Sequence, residues 1–319
     1  MVKVSLGNTA QWGQRASADL LPHDAVLPLN SFREGLFMLL TLISVLAALG
    51  AAGICLGTGA FAALRWLWVL PVSFAGLWLL LFLVAFIVVW LVCRGVDTSV
   101  PQEHDDPKFR RFIQLYVDAV VRLTMRLHVS GREKLPGEGR FLLVCNHLCD
   151  LDPPALLSAF PDSQLAFISK WENSRMPLVG QVMHRLMCQL INRENDREAL
   201  KTILKCIQLI KQDEVSIAVF PEGYTSRDGK LHHFRAGVFK IALKTGVPIV
   251  VCTIRGINRI ISGLDSIKLT NIHPGARVDL HLVDVIPPES YQGKTAVEIS
   301  DMVYSMMLAD LGPEYAPAE

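Results

Sequence analysis

The chain has 319 residues, enough for one large domain or two small ones, and 51% of them are apolar. A formal net charge of +1 at pH 7 excludes the strongly basic balance of a nucleic-acid binder, so no nucleic-acid partner is expected. The mean hydropathy of +0.35 is high for a purely soluble protein, and the excess is concentrated in two N-terminal stretches.

Residues 1–31 are expected to be irregular. From Gly35 to Leu56 there is no charged residue, and Thr41 and Ser44 are the only polar side chains. A helix of about 22 residues at 1.5 Å rise spans roughly 33 Å, enough to cross a bilayer core. Leu67 to Cys93 is a second uncharged stretch, with Trp66 and Trp68 at one end and Trp90 at the other, where amphipathic rings favour the membrane interface. Core helices of globular domains rarely run this long without a polar face, and a secretory signal would begin nearer Met1. Residues 32–94 are therefore expected to form a transmembrane hairpin of two helices, about 35–56 and 67–93. Gly50, Gly53 and Pro71 leave a shallow re-entrant hairpin as the alternative. Lys3, Arg15 and Arg33 precede the hairpin and Arg94, Lys108, Arg110 and Arg111 follow it, with only Arg65 between its arms. Basic flanks prefer the cytoplasmic side, which implies an integral membrane protein with its C-terminal domain in the cytoplasm.

Residues 95–128 open with a polar linker, Asp97 to Asp106, followed past Pro107 by helical periodicity over 109–129. Phe112, Leu115, Tyr116, Ala119, Val120 and Leu123 form one apolar stripe, with Arg110, Arg111, Asp118, Arg122 and Arg126 largely outside it. This helix either packs on the domain that follows or lies in the interface and holds that domain against lipid.

Residues 129–319 alternate short apolar runs with amphipathic helices. The runs 140–145, 164–169, 187–192, 216–220 and 248–254 read as buried strands, and 277–286, which alternates, reads as an edge or half-exposed strand. Asp196 to Gln212 is a helix with Leu200, Ile203, Leu204, Ile207 and Ile210 on one face and Lys201, Lys205 and Lys211 outside it. Phe234 to Lys244 is a second helix, ending before Gly246 and Pro248, and Lys294 to Leu311 is a third. Strands alternating with helices predict an α/β fold with a mainly parallel sheet flanked by helices. The seven cysteines form no CxxC pair and fit reduced, mostly buried thiols. Cys145 and Cys149 flank His147, yet no second compact His/Cys pair completes a tetrahedral site, so no metal is expected.

Two elements carry chemistry. Asn146 to Asp152 follows the strand ending at Cys145, and in such sheets functional groups gather where strands end. His147 and Asp152 are close enough in sequence for the carboxylate to accept from one imidazole nitrogen and leave the other as a general base. A hydroxyl acceptor attacking a thioester needs such a base and no serine or cysteine nucleophile. Phe220-Pro221-Glu222-Gly223 follows another strand and makes a shaped turn, because proline fixes φ and glycine permits a positive one. Backbone N–H groups at its tip can serve a phosphate or a developing oxyanion.

These elements resemble the lysophosphatidic-acid acyltransferase (1-acyl-sn-glycerol-3-phosphate acyltransferase) family of glycerolipid acyltransferases. Four blocks match in order: N-H-x4-D at Asn146 to Asp152; K-x-E-x4-P-x2-G at Lys170, Glu172, Pro177 and Gly180; F-P-E-G at Phe220 to Gly223; and V-P-I-V at Val247 to Val250. Residues 129–136 resemble the strand and turn before the first block, and Phe234-x2-Gly237-x4-Ala242 the helix after the third. The resemblance implies the glycerolipid acyltransferase fold and transfer of an acyl group from acyl-CoA or acyl-carrier protein to the free hydroxyl of 1-acylglycerol-3-phosphate. It implies no metal or redox cofactor, with the thioester donor as co-substrate and membrane lipid as surroundings. His147 would be the general base and Asp152 its orienting partner. Glu222 and Gly223 would shape the acceptor and acyl-transfer site, with Asn146 and Ser226 of the same blocks contacting substrate. Lys170 and Arg193 match positions linked to the acceptor phosphate.

The chain departs from the family in two places. The family pattern F-P-E-G-T-R-S becomes Phe220 to Gly223 followed by Tyr224-Thr225-Ser226-Arg227, so Thr225 stands at the arginine position. Arg227 is the expected substitute, with a different reach that leaves another lysophospholipid or glycerol-3-phosphate open as acceptor. Cys149 replaces a frequent serine and leaves His147 and Asp152 intact. A non-catalytic lipid-binding role is the reading from another class.

Overall fold

A computed structural model describes residues 29–59, 66–193, 195–226, 228–260 and 273–317, and for 29–40 and Trp66 the backbone alone. The segment expected to be irregular, 1–31, lies outside the described residues apart from 29–31, which open the first helix. The two apolar stretches become α1 (Leu29–Gly57) and α2 (Trp66–Arg94). Ile43, Ala47, Ala51 and Cys55 are buried at four-residue spacing on α1, one face of the helix. A Cβ on Gly50 would come within 2.7 Å of Leu77 Cδ1 on α2. Small residues on that face let the two helices pack closely where no polar group draws them together. Much of the rest of α2 faces outward, Leu79, Leu80, Leu83 and Leu91 included. Leu67–Arg94, whose most apolar stretch of 18 residues has a mean hydropathy of 2.9, is long and apolar enough to cross a membrane, while the shorter apolar run of α1 is Thr41–Gly57.

The C-terminal end of α2 is seated on the rest of the protein. Cys93 is buried among Phe109, Ile113, Leu178 and Val182. Phe109 and Ile113 belong to α3 (Pro107–Thr124), whose start is set by Pro107 and by Asp106, which caps the N–H groups of Lys108 and Phe109 at 3.1 Å. The expected apolar stripe is not the face α3 buries. Phe109, Arg110, Ile113, Gln114 and Val121 are buried, whereas Val120 and Leu123 are exposed. Arg110, expected outside the stripe, is inside: its guanidinium pairs with Asp105 at 2.7 Å and donates to the Leu165 carbonyl at 2.9 Å. Its aliphatic stem and fork-shaped head let one residue fill the interface and satisfy the polar groups there.

The helix also ends sooner than its periodicity predicts. Residues Met125–Ser130 are a strand, β1, in which Met125 is buried and Arg126, His128 and Ser130 are exposed. A five-residue run with apolar groups at 125, 127 and 129 satisfies both periods, and pairing with a neighbour decided between them. The other strands are β2 (Leu142–Cys145), β3 (Leu165–Lys170), β4 (Gln189–Ile191), β5 (Ser216–Val219), β6 (Ile249–Arg255) and β7 (Ala276–Ile286). They form one sheet in the order β1-β7-β6-β2-β5-β3-β4. Every adjacent pair is parallel except β6 with β7. The sheet is thus mainly parallel, as predicted. Strand β7 alternates as expected but is interior, because β1 takes the edge beside it with Met125 opposite Ala276.

Alternate residues of each strand face opposite layers. Leu142 and Val144 pack with α6 (Asp196–Lys211), α7 (Lys240–Thr245) and α8 (Ala296–Leu311). Leu143 and Cys145 pack on the other face with α4 (Asp152–Ala159) and with Val121 of α3. On α6 the buried set is Thr202, Ile203, Cys206, Ile207, Leu209 and Ile210, so the stripe is rotated from the one predicted: Leu200 is 49% exposed and Leu204 56%. The functional consequence of the topology is simple. Strands β2 and β5 are parallel neighbours, with Val144 opposite Val219, so the loops that leave them emerge side by side.

Replacing Arg110 with methionine would leave Asp105 buried without its partner. We expect Arg110→Met to lower folding stability by about 3–5 kcal/mol, read as a lowered thermal midpoint in detergent. An unchanged midpoint would mean that α3 is not held to the sheet by this pair.

Candidate active site

The loop leaving β2 begins with Asn146, whose amide is spent on the fold. Its Oδ1 accepts from Ile254 N–H at 2.8 Å and its Nδ2 donates to the Ile254 carbonyl at 3.0 Å. Asn146, expected to contact substrate, bolts the end of β2 to β6, which leaves the next residue well positioned. His147 has three sets of partners. Its Nδ1 lies 2.7 Å from Asp152 Oδ2, its Nε2 lies 3.2 Å from Thr225 Oγ1, and its ring stacks on Phe220 with centroids 4.3 Å apart. Phe220 in turn stacks on Phe167 of β3, so the imidazole plane is set by packing as well as by hydrogen bonds.

Asp152 opens α4 and is fully buried. One of its oxygens, Oδ2, accepts from His147 Nδ1 and from the N–H groups of Leu148 at 2.6 Å and Cys149 at 2.9 Å, while Oδ1 has no partner. Burial pushes its pKa above the ordinary carboxylate range, opposed by the His147 hydrogen bond and charge and by those two N–H groups. An ionised carboxylate can only accept, so Nδ1 carries the hydrogen and Nε2 presents its lone pair, into which the Thr225 hydroxyl donates.

The turn leaving β5 is tied to the histidine loop by Glu222, also buried. Oε1 accepts the His147 N–H at 2.9 Å, and Oε2 accepts from the Ser226 hydroxyl and from His232 N–H at 3.1 Å. Ser226 N–H closes the circuit on the His147 carbonyl at 2.8 Å. Burial raises the Glu222 pKa, opposed by the Ser226 hydroxyl and the backbone donors. Glu222 and Ser226, both expected at the substrate, therefore hold the two loops in register. Gly223 has φ +80°, which demands glycine, and a Cβ there would lie 2.8 Å from Arg235 Nε, so the arginine side chain would have to shift. Beyond it, the N–H groups of Tyr224 and Thr225 at the tip make no hydrogen bond among the described residues.

Beside this turn opens a cavity of about 470 Å³. Its walls are apolar, with Ile168, Ile191, Leu200, Ile203, Val219 and Val238, and it also meets Gly223, Arg193 and Arg235. Lys170, expected near the acceptor phosphate, is not among its lining; it is 53% exposed and pairs with Glu172 at 2.8 Å. Arg193 does reach the cavity. Arg227 lies outside the described residues. Among the described residues no group of three or more His, Cys, Asp or Glu side chains is gathered to hold a metal ion. Two features escaped sequence reasoning: the Thr225 hydroxyl on His147 Nε2, and the place of Arg235 against Gly223. Arg235 sits inside the F-x2-G element singled out above, but spacing does not distinguish a cavity guanidinium from a surface one.

The acyltransferase family model matches residues 126–255, which contain all of these groups. A chloroplastic 1-acyl-sn-glycerol-3-phosphate acyltransferase of Brassica napus is 33% identical over 200 residues, 62% of this chain and 56% of that protein. The 1-acyl-sn-glycerol-3-phosphate acyltransferase of Escherichia coli is 34% identical over 151 residues, 45% of this chain and 57% of that one. The chain thus spans little more than half the length of these relatives. The crystal structure of the 1-acyl-sn-glycerophosphate acyltransferase PlsC from Thermotoga maritima superposes with a TM-score of 0.56 at 24% identity, covering 73% of this chain and 89% of that one. That likeness extends to the fold.

The raised pKa of Asp152 has a sign that can be tested. A carboxyl whose folded-state pKa lies above its unfolded one favours the fold when protonated, so its charge costs stability that is absent at low pH and grows as pH rises through the folded-state pKa. In Asp152→Asn the amide oxygen can take over the three bonds of Oδ2 without the charge. We expect its thermal midpoint at pH 8 to equal or exceed that of the parent, with the difference shrinking as pH falls. A midpoint clearly below the parent at pH 8 would refute this account.

Proposed function

We propose that the chain, whose residues 126–255 match the acyltransferase family model, transfers a fatty acyl group from a thioester donor to the free hydroxyl of 1-acylglycerol-3-phosphate, giving phosphatidic acid. The observation that carries this reading is the His147 ring, held by Asp152 at 2.7 Å with its other nitrogen turned toward the tip of the Glu222 turn. The resting site places the Thr225 hydroxyl where a hydroxyl must sit to lose its proton. The acceptor's hydroxyl takes that place in the reactive complex. Its oxygen attacks the thioester carbonyl as Nε2 removes its proton, and Asp152 stabilises the imidazolium that results. The carbonyl oxygen becomes an oxyanion, for which the N–H groups of Tyr224 and Thr225, which make no hydrogen bond among the described residues, are suited. The carbon–sulfur bond then breaks, and the leaving thiolate takes the proton from His147, which returns to its starting state. Acyl-CoA or acyl-carrier protein serves as donor, and the chemistry requires no metal or redox cofactor.

The proposed setting is the membrane. Helix α2 is long and apolar enough to span it, and its end is packed against α3 and α5 (Val179–Arg185) around Cys93. A spanning α2 thereby holds the catalytic domain, residues 129–319, at the surface where lysophospholipids lie. The basic flanks of the 32–94 hairpin put that surface on the cytoplasmic side, with residues 95–128 as connection. Thr225 at the family's arginine position favours a second reading, the same chemistry on a lysophospholipid with another headgroup.

The decisive assay offers labelled acyl-CoA and acyl-carrier protein to the detergent-purified chain with 1-acylglycerol-3-phosphate, other lysophospholipids and glycerol-3-phosphate. Transfer to 1-acylglycerol-3-phosphate is expected, and no transfer to any acceptor would overturn the enzymatic reading. His147→Ala should cost at least about 10²–10⁴-fold in turnover while leaving vesicle association intact; equal activity would remove the mechanism. Thr225→Val should change kcat less than about tenfold, because the hydroxyl is displaced rather than consumed. A loss as large as that of His147→Ala would make Thr225 a participant in the chemistry.

A further inference from the structure

Acyl transfer as proposed above leaves one hydroxyl of the site unused. Thr225 Oγ1 lies 3.2 Å from His147 Nε2, and among the described residues no other group hydrogen-bonds that nitrogen. The opposite side of the ring is held by the buried Asp152, 2.7 Å from Nδ1. A hydroxyl within hydrogen-bond reach of a base that a carboxylate orients is the arrangement of an activated nucleophile, whatever fold carries it.

The other nucleophilic side chains near the ring are engaged elsewhere. The Ser226 hydroxyl is buried and donates to Glu222 Oε2. Cys145 and Cys149 flank the histidine, but their sulfurs donate to Asn146 Oδ1 and to the Ile257 carbonyl. Burial pushes both thiols above the ordinary range, which keeps them protonated and unreactive. Thr225 is half-buried beside the exposed Tyr224, so a thioester arriving from outside can reach it. The N–H groups of these two residues make no hydrogen bond among the described residues. In sites of the serine–histidine–aspartate kind, the nucleophile's own N–H helps to hold the oxyanion. Where the family pattern F-P-E-G-T-R-S has arginine, this chain has Thr225, so the hydroxyl arises with that departure.

We propose that, when no acceptor occupies the site, Thr225 itself takes the acyl group and the chain hydrolyses the thioester through an acyl-threonine intermediate. The donor is that of the acyltransfer reading above, on which this inference rests. Nε2 removes the Thr225 proton as Oγ1 attacks the thioester carbonyl. The carbon–sulfur bond breaks, and the leaving thiolate takes the proton from His147. An oxygen ester now joins the acyl carbon to Oγ1. Water attacks that carbon as Nε2 removes one of its protons, the bond to Oγ1 breaks, and His147 returns the proton to the threonine oxygen. The sum is thioester plus water giving free thiol and fatty acid, with the protein unchanged. An acceptor whose hydroxyl fills the place of Thr225 Oγ1 takes the acyl group instead and suppresses this route.

The test incubates the full chain in detergent with labelled palmitoyl-CoA and no acceptor, follows release of palmitate, and reads the intact mass after an acid quench. A single acyl adduct is expected. It should resist neutral hydroxylamine, as an oxygen ester does and a thioester does not, and map to Thr225 by peptide fragmentation. Adding 1-acylglycerol-3-phosphate should suppress it. Thr225→Val is expected to abolish the adduct and to lower hydrolysis relative to transfer by about 10²-fold, whereas Thr225→Ser keeps both. His147→Ala should lose the adduct as well, which separates it from uncatalysed acylation. A ratio of hydrolysis to transfer unchanged in Thr225→Val would overturn the inference, as would an adduct that maps to a cysteine. Transfer to 1-acylglycerol-3-phosphate with neither adduct nor acceptor-free hydrolysis would overturn it too, while leaving the acyltransfer reading in place. If the parent chain forms acyl-Thr225 and releases palmitate yet acylates no acceptor, the hydrolytic route stands and the acyltransfer reading falls.

Discussion

The buried carboxylate of Glu222 joins two loops that the Ser226 N–H bond to the His147 carbonyl, the Thr225 hydroxyl and the Phe220 ring also hold together. It accepts the His147 N–H with one oxygen and the Ser226 hydroxyl and His232 N–H with the other. Each of these donors would otherwise face an apolar interior, where an unmet hydrogen bond is costly. The carboxylate in turn tolerates burial only because its lone pairs are so well occupied. Parallel pairing of β2 with β5 brings the loops within reach, and Glu222 converts that proximity into a fixed relation between the imidazole and the tip of the turn.

The dyad obeys the same logic at a different balance. Asp152 concentrates three donors on one oxygen and leaves the other bare, so its charge is held at a cost to stability. What the arrangement achieves is a histidine whose tautomer, tilt and face are fixed by the protein itself: Nδ1 by Asp152, the ring plane by Phe220, and Nε2 by the Thr225 hydroxyl. Such preorganisation avoids the reorientation that water would have to undergo at the moment of reaction.

The apolar helices α1 and α2 are coupled to the rest of the chain by packing. Small residues bring α1 and α2 together, and the Cys93 cluster locks the end of α2 to α3 and α5. Arg110 then fastens α3 to the Leu165 carbonyl, on the strand that supports Phe167 and through it Phe220. One chain of contacts therefore runs from the apolar helices to the His147 ring.

Much of this was legible in the chain itself. The apolar stretches, the strand positions from residue 140 onward, the mainly parallel sheet and the His147–Asp152 pair follow from hydropathy period and short-range spacing, which are local properties. Local signals failed where two readings share a period. Residues 125–129 satisfied helix and strand alike, and only pairing with β7 decided them. The stripes of α3 and α6 were wide enough to be buried on either flank, so Arg110 went in and Leu200 stayed out. In the site, the family blocks identified Asn146, Glu222 and Ser226 but could not tell a residue that touches substrate from one that holds its neighbours, because that depends on where free donors and lone pairs end. The chain alone determined that His147, Asp152, Glu222 and Ser226 come together. The tertiary structure alone decided that the Thr225 hydroxyl meets His147 Nε2 and that Arg193 and Arg235 line one cavity, since those relations join segments far apart in sequence.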